Sequence, residues 1–163
     1  MGVQPSMPDI GATTIAHTAE IQADDQTVKE IMSTFNHADE ALKRKDLNAL
    51  MDLYSEGYNH NGYTKEIIRR DWDVLFQQYH DFSSTHVFSK ITVEVGEVPK
   101  AEITCTGSLW ASSVRTGERV NIDSWFGVVH LLIYEGGAWR IRGYAGESPR
   151  IAPRYALPPH PLF

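Results

Sequence analysis

The spacing of apolar residues changes once along this chain of 163 residues, and that change limits the folds it can adopt. From Asp24 to Leu42, apolar side chains recur every three or four residues, which is typical of an amphipathic helix. After Asp81 they recur every second residue, which is typical of a strand with one buried face. Helices followed by a run of strands predict an α+β fold, with three helices on one face of a curved antiparallel sheet.

Capping residues indicate where the helices begin. Thr27 with Glu30 fits a capping box for the first helix. Asp46 and Thr64 precede the apolar stripes of the second and third helices. The alternating pattern then predicts strands over 87–95, 102–112, 121–134 (with a bulge near Gly127) and 139–144.

The two ends of the chain lack a sustained hydrophobic period. We predict one domain over residues 24–147, preceded by an extended N-terminal arm over 1–23. Residues 148–163 form a proline-rich tail that holds five of the eight prolines. Proline fixes φ and lacks an N–H, so this tail is expected to be neither a helix nor a central strand. The composition of the tail fits a disordered end, and it equally fits an extended segment that lies across the body of the domain or across a neighbouring subunit.

Charge and composition exclude several classes of protein. The net charge of −6 disfavours a general grip on nucleic acid or anionic lipid. A single cysteine, Cys105, excludes an intrachain disulfide and any cysteine-cluster metal site. The chain has no phosphate loop, dinucleotide fingerprint or zinc-protease motif, so we predict no metal and no organic cofactor. It has neither a signal peptide nor a membrane-spanning run, so a cytoplasmic location is expected.

The order of these segments is similar to a known superfamily. A long helix is followed by Lys-Arg-Lys-Asp-Leu-Asn-Ala-Leu-Met-Asp-Leu-Tyr at 43–54, a short strand with Gly62, a third helix, and a sheet ending in Gly-Gly-Ala-Trp-Arg-Ile at 136–141. This resembles the nuclear transport factor 2-like superfamily, which includes SnoaL-type polyketide cyclases, ketosteroid isomerase and scytalone dehydratase. The resemblance implies a cone-shaped, cystatin-like fold with an apolar pocket at its wide end.

Two histidines are the first catalytic candidates that the resemblance implies. His60 lies on the short strand where ketosteroid isomerase carries its general base, and an unperturbed histidine pKa of about 6.5 suits a base near neutrality. His130 interrupts an apolar run and matches the oxyanion-stabilising acid of that enzyme. The alternatives are a solvated loop histidine for His60 and a core histidine for His130.

Asp123 is a third candidate, because a carboxylate flanked by apolar residues can have a raised pKa. Its alternative is a strand-end aspartate facing water. The segment Phe35-Asn36-His37-Ala38-Asp39 lacks the tyrosine that the first helix of ketosteroid isomerase contributes. Ketosteroid isomerisation itself is therefore not expected.

Aromatic side chains suggest the kind of ligand. If they line the pocket, the ligand is flat and apolar, and if they pack on helices they are core. Trp72 and Trp110 are the strongest candidates for ligand contact. The full set of candidate ligand-binding residues is Tyr58, Trp72, Phe76, Trp110, Trp125 and Tyr144.

Three functions remain open at this point. The first is a cofactor-free isomerase, cyclase or dehydratase that acts by acid–base chemistry on a small apolar carbonyl compound. The second is a non-catalytic pocket protein that binds such a compound, and the third is an interaction or oligomerisation module. A homodimer that packs through the outer sheet face is expected in each case, because a sheet covered on one side leaves its other side unpartnered.

Overall fold

The computed structural model describes residues 13–145 and Phe163. The tail predicted over 148–163 and the first part of the predicted N-terminal arm lie outside the described residues, apart from Phe163. The elements in chain order are β1 (Thr13–Gln22), α1 (Asp25–Arg44), α2 (Leu47–Met51), β2 (Asn59–His60), β3 (Tyr63–Thr64), α3 (Lys65–Gln78), β4 (Tyr79–Glu94), β5 (Lys100–Ser113), β6 (Arg119–Glu135) and β7 (Ala138–Ala145).

Helix α1 begins three residues earlier than the predicted capping box. Its N-cap is Asp24, whose side chain accepts a hydrogen bond of 2.7 Å from the Thr27 backbone N–H. The predicted capping box at Thr27 and Glu30 is therefore wrong. Asp24 is the N-cap, and its side chain already accepts from the backbone N–H of Thr27. The helix ends at Lys45, which adopts the left-handed conformation with φ 55°. Between these caps the apolar stripe is buried, as its spacing predicts.

The starts of α2 and α3 are confirmed. Asp46 accepts a hydrogen bond from the Ala49 N–H, and Thr64 accepts one from the Ile67 N–H at 3.4 Å. Strands β2 and β3 form a small antiparallel pair just before α3. This pair fixes the position of His60 relative to the third helix.

Loss of the α3 cap should measurably destabilise the protein. Replacing Thr64 with alanine is expected to lower the free energy of unfolding by about 1 kcal/mol, because the Ile67 N–H loses its side-chain acceptor. Thr64→Ser keeps the hydroxyl and is expected to stay close to wild type. Urea denaturation of the three proteins tests this, and equal midpoints for Thr64→Ala and wild type would contradict it.

The sheet is mixed, and this corrects the predicted all-antiparallel arrangement. Its strand order is β1-β4-β5-β6-β7, and β1 runs parallel to β4 while the other neighbours are antiparallel. Residues 13–22, assigned above to an arm, thus form an edge strand of the sheet. The partner of β1 lies far along the chain, with Thr13 opposite His86, so no local turn signal marks the pairing.

A bulge in β6 shapes the outer face of the sheet. Cys105 pairs with Val128 and Gly107 pairs with Trp125, so β6 carries one extra residue at Phe126–Gly127. Gly127 has φ 63°, which confirms the bulge predicted there. Phe126 is turned outward and is 81% exposed. The homodimer predicted from this outer face stays a prediction.

The core lies between the concave sheet face and helices α1 and α3. Trp72 of α3 is fully buried, and its indole N–H donates to the Tyr54 hydroxyl at 3.0 Å. On the far side, residues 53–55 run along the free edge of β7. Ser55 N–H donates to the Ile141 carbonyl and Ile141 N–H donates to the Leu53 carbonyl.

The helices give no sign of a membrane span. Within residues 13–145 and Phe163, every helix is too short or too polar to cross a bilayer.

Candidate active site

Three neighbouring strands bring two histidines and the cysteine together inside the curve of the sheet. His86 lies on β4, Cys105 on β5 and His130 on β6, and all three side chains point to the concave face because buried and exposed residues alternate along each strand. Both histidines have no exposed surface. Their rings lie 6.5 Å apart, centroid to centroid, and are nearly perpendicular.

One hydrogen bond fixes which nitrogen of His130 carries the proton. His130 Nδ1 lies 3.3 Å from the Val128 carbonyl oxygen. A carbonyl accepts only, so Nδ1 carries the proton and, in a neutral ring, Nε2 carries a lone pair. Nε2 is buried and lacks a hydrogen bond of good geometry to any described residue, although the Phe163 backbone lies close enough to the ring to raise its pKa. His130 therefore offers an acceptor, or base, to the interior.

We assign the opposite arrangement to His86 because of the cysteine beside it. Cys105 Sγ accepts from the Trp125 indole N–H at 3.4 Å and from the Val87 backbone N–H. Its own thiol proton can then point to His86 Nδ1, which lies 3.6 Å away. With the thiol as the donor, the neutral ring carries its single proton on His86 Nε2, which is likewise buried and without a described partner. His86 therefore offers a donor.

A glycine makes this arrangement sterically possible. A Cβ at Gly107 would lie 2.6 Å from the Trp125 ring and 2.2 Å from the Thr85 carbonyl oxygen. Only glycine lets the indole lie close against β5 with its N–H on the Cys105 sulfur.

Burial keeps both histidines neutral. Removal from water lowers the pKa of His130 to about 4, and the nearby backbone of Val128 and of Phe163 opposes that shift only in part. Burial also lowers the pKa of His86, and the neighbouring His130 lowers it further. Burial raises the pKa of the Cys105 thiol to about 12, so the thiol keeps its proton. At neutral pH the group is an uncharged donor–acceptor set.

Aromatic side chains enclose the two histidines. Phe35 of α1 lies 5.1 Å from His86 and 5.9 Å from His130 between ring centroids. Trp125 lies 5.4 Å from His86, and Tyr144 of β7 lies 4.8 Å from His130 with its ring perpendicular. We call His86, His130, Phe35, Trp125, Tyr144 and Phe163 the central cluster.

Several predicted site residues meet at one end of this cluster. His60 is half-buried and its ring lies 5.0 Å from that of Tyr144, which also contacts His130. Tyr58 lies 6.1 Å from Tyr144 in an edge-to-face contact. Burial raises the pKa of both phenols, so they remain hydrogen-bond donors at neutral pH. The pocket that the resemblance implies at this end stays a prediction.

Other predicted residues lie elsewhere. Trp110 is 40% exposed and sits between buried Leu109 and Ala111, so it faces the outer side of the sheet and not the pocket. Phe76 packs on Trp72 and Phe82 in the layer under α3, away from the two histidines. Asp123 is partly exposed and accepts from the Ser124 N–H, and its charge contributes to the raised pKa of Tyr144.

Sequence reasoning missed His86, Phe35 and Phe163. His86 sits in the polar-looking run Ser-Ser-Thr-His-Val-Phe, and only its alternation with Phe82, Ser84 and Phe88 marks it as inward-facing. Phe163 follows a proline-rich segment and carries no periodic signal.

His86, Cys105 and His130 are also residue types that bind zinc or copper, and their ligand atoms lie within 4.8 Å of one another. Two features argue against this use. Burial holds the Cys105 thiol in its protonated form, and one thiolate with two neutral imidazoles would leave a divalent ion with net positive charge in an aromatic interior. We therefore interpret the three residues as a hydrogen-bonded set.

Comparisons with known proteins identify the fold alone. No family model matches the chain, and no curated protein matches it. Solved structures do match, each at 15% identity. Aln2 from a Streptomyces species matches with a TM-score of 0.56 over 78% of this chain and 94% of its own chain, and a ketosteroid isomerase-like protein from Erwinia carotovora atroseptica matches with a TM-score of 0.54 over 74% and 95% of the two chains. A conserved protein from Planctomyces limnophilus matches with a TM-score of 0.59 over 76% of this chain and 96% of its own. The predicted fold class is confirmed, with the correction that the sheet is mixed.

Proposed function

We propose that this chain, which has the fold of the nuclear transport factor 2-like superfamily, is a cofactor-independent enzyme that moves a proton next to the carbonyl group of a small aromatic compound. One observation carries the proposal: the buried Nε2 atoms of His130 and His86, which we assign as an acceptor and a donor, both lack a hydrogen bond of good geometry to a described residue inside an aromatic enclosure. Buried polar groups are normally hydrogen-bonded, so two unpaired ones side by side suit a polar ligand.

The two nitrogens have complementary roles in such a reaction. His130 Nε2 accepts the proton as the C–H bond beside the carbonyl breaks, and the carbonyl oxygen takes up the electron pair as an enolate. His86 Nε2–H donates to that oxygen as its charge develops, which is the most effective place for a fixed donor. Return of the proton to another carbon of a conjugated enolate gives an isomer, and transfer of that proton to a departing β-hydroxyl group releases water and gives the dehydrated product.

This assigns His130 a role opposite to the one expected from the sequence. The resemblance suggested that it stabilises the oxyanion, but its Nδ1 proton is directed to Val128, so its free nitrogen can only accept. A base with a pKa of about 4 is adequate for this chemistry, since ketosteroid isomerase uses a carboxylate base with a pKa of about 4.6. The low pKa also ensures that His130 is unprotonated at neutral pH.

His60 as the base stays a prediction. Its ring contacts Tyr144 at the half-exposed end of the cluster, where a second proton-transfer group would suit release to solvent. Variants at His60 and His130 distinguish the two candidates.

Hydrogen–deuterium exchange tests the proposal directly. We expect the protein in D2O to exchange the protons beside the carbonyl of 1-phenylpropan-2-one or 4-phenylbutan-2-one faster than buffer does, as followed by proton NMR. The alcohol 1-phenylpropan-2-ol serves as the substrate control, because its C–H protons are not acidic. Exchange of both ketones at the buffer rate would overturn the proposal.

A second candidate function is favoured by the filled interior. Phe163 occupies space within the central cluster, and a filled pocket suits an interaction or oligomerisation module. That alternative predicts no exchange with either ketone and an assembly in solution. Sedimentation velocity at micromolar concentration measures the second part.

A further inference from the structure

Phe163 is separated from β7 by residues 146–162, yet its side chain is fully buried in the central cluster. The phenyl ring lies 4.8 Å from His86 and 5.6 Å from Trp72 between centroids, edge-on to both. These two residues come from the sheet and from α3, so the ring fills the gap between the two layers of the fold. The fold therefore contains a space that fits one benzene ring.

The backbone of Phe163 also reaches the reactive part of the cluster. It lies close enough to His130 to oppose the lowering of that residue's pKa by burial. From ring to carbonyl, a phenylalanine residue is a 3-phenylpropanoyl group: a ring, two carbons and an acyl oxygen. Phe163 thus places a ring beside His86 and Trp72 and an acyl-bearing backbone beside His130, in the same enclosure.

We propose that the space holding Phe163 is the ring subsite for the protein's ligand, that this ligand is a single-ring aryl compound with an acyl group about two carbons from the ring, and that it binds by displacing Phe163. The proposal rests on the proposed function in that it puts the ligand's oxygen beside His86 and His130. It adds to that function the chemical class of the ligand and the competition of Phe163 with the ligand for the site.

Competition between Phe163 and the ligand determines how much the ligand's affinity should change. When only a fraction of molecules has an open site, the apparent dissociation constant rises by the inverse of that fraction. If Phe163 fills the site in about nine molecules of ten, the ligand binds about tenfold more weakly than to a chain without the phenyl ring.

The first experiment observes Phe163 itself. 4-Fluorophenylalanine placed at position 163 reports its surroundings by fluorine NMR, and a ring between His86 and Trp72 has a resonance displaced from that of a solvated ring. We expect 3-phenylpropanamide to move intensity from the buried to the solvated resonance in a saturable way. Its saturated analogue, 3-cyclohexylpropanamide, serves as the matched control and is expected to act more weakly, because it lacks edge-to-face contacts.

The second experiment measures affinity. Phe163→Ala is expected to bind 3-phenylpropanamide about tenfold more tightly than wild type, by isothermal calorimetry or by quenching of tryptophan fluorescence. Phe126→Ala, which removes an exposed phenyl group on the outer face, is the control and is expected to match wild type. Phe163→Leu provides a second variant that keeps an apolar side chain at the site.

These measurements separate the proposal from a simple cavity effect and from the proposed function. Binding to Phe163→Ala without any change of the fluorine resonance in the intact chain would overturn it, because the ring would then occupy a cavity made by the substitution. Equal affinities of wild type and both Phe163 variants would also overturn it. Displacement of Phe163 without proton exchange of the ketones would leave this inference standing and overturn the proposed function alone.

Discussion

His130→Phe is expected to slow the exchange of protons beside the carbonyl of 1-phenylpropan-2-one by a factor of about 10²–10⁴, because removal of a general base costs about that much. Phenylalanine keeps an aromatic ring between Phe35 and Tyr144, so the fold should survive. Proton NMR in D2O gives the rate, and circular dichroism verifies the fold. A rate within a few-fold of wild type would contradict the role of His130.

Two matched variants complete this test. His60→Gln tests whether His60, which the sequence suggests, is the base. If the exchange rate of His60→Gln falls by a factor of about 10²–10⁴ and that of His130→Phe stays at the wild-type value, the base is His60. His80→Gln removes an exposed histidine that contacts Asp81 at 2.8 Å on the surface, and it is expected to leave the rate unchanged.

Acid should unfold this protein by protonating its buried histidines. The folded-state pKa of His130 is about 4, against about 6.5 in an unfolded chain, so the unfolded state binds more protons between these values. Stability therefore falls as pH decreases from about 6.5 to about 4. At about 1.4 kcal/mol for each unit of pKa difference, His130 alone accounts for about 3 kcal/mol of this loss. His86 has its pKa lowered too and adds to the loss in the same direction.

Urea denaturation at several pH values between 7 and 4 measures this effect. Among the described residues, the titratable groups that face His130 are His86 on β4, Cys105 on β5 and Tyr144 on β7, and of these only the histidine has an ordinary pKa between about 4 and 7. His130→Phe removes one of the two titrating groups, so its unfolding free energy should fall less steeply with acid than that of wild type. Parallel profiles for the two proteins would show that His130 is not the source.

The parts of the fold that could be predicted from the sequence are those set by local pattern. The helical stripe of α1 and the caps at Asp46 and Thr64 depend on residues a few positions apart, and they were found. The bulge at Gly127 was found for the same reason. The pairing of β1 with β4 joins segments far apart in the chain, and no local pattern encodes which strand an edge segment will join.

The candidate site shows the same contrast between features that a local pattern reveals and features that depend on contacts between distant segments. His130 was found because a polar residue inside an apolar run is conspicuous, but its role depends on a proton directed to Val128, which only the structure reveals. His86 has polar neighbours in sequence and becomes visible only when Cys105 and His130 from two other strands lie beside it. Phe163 reaches the cluster by a contact that has no periodic signature.

The backbone of residues 53–55 has a consequence for how the protein behaves at high concentration. By occupying both the N–H and the carbonyl of Ile141, it removes part of the row of open hydrogen-bonding groups that an edge strand offers to other chains. At the opposite edge, the register of β1 is interrupted between Ile15 and Glu20, so the row there is irregular. Edge-to-edge polymerisation into extended sheets is thus impeded at both ends of the described sheet, by a covering segment at one and by broken register at the other.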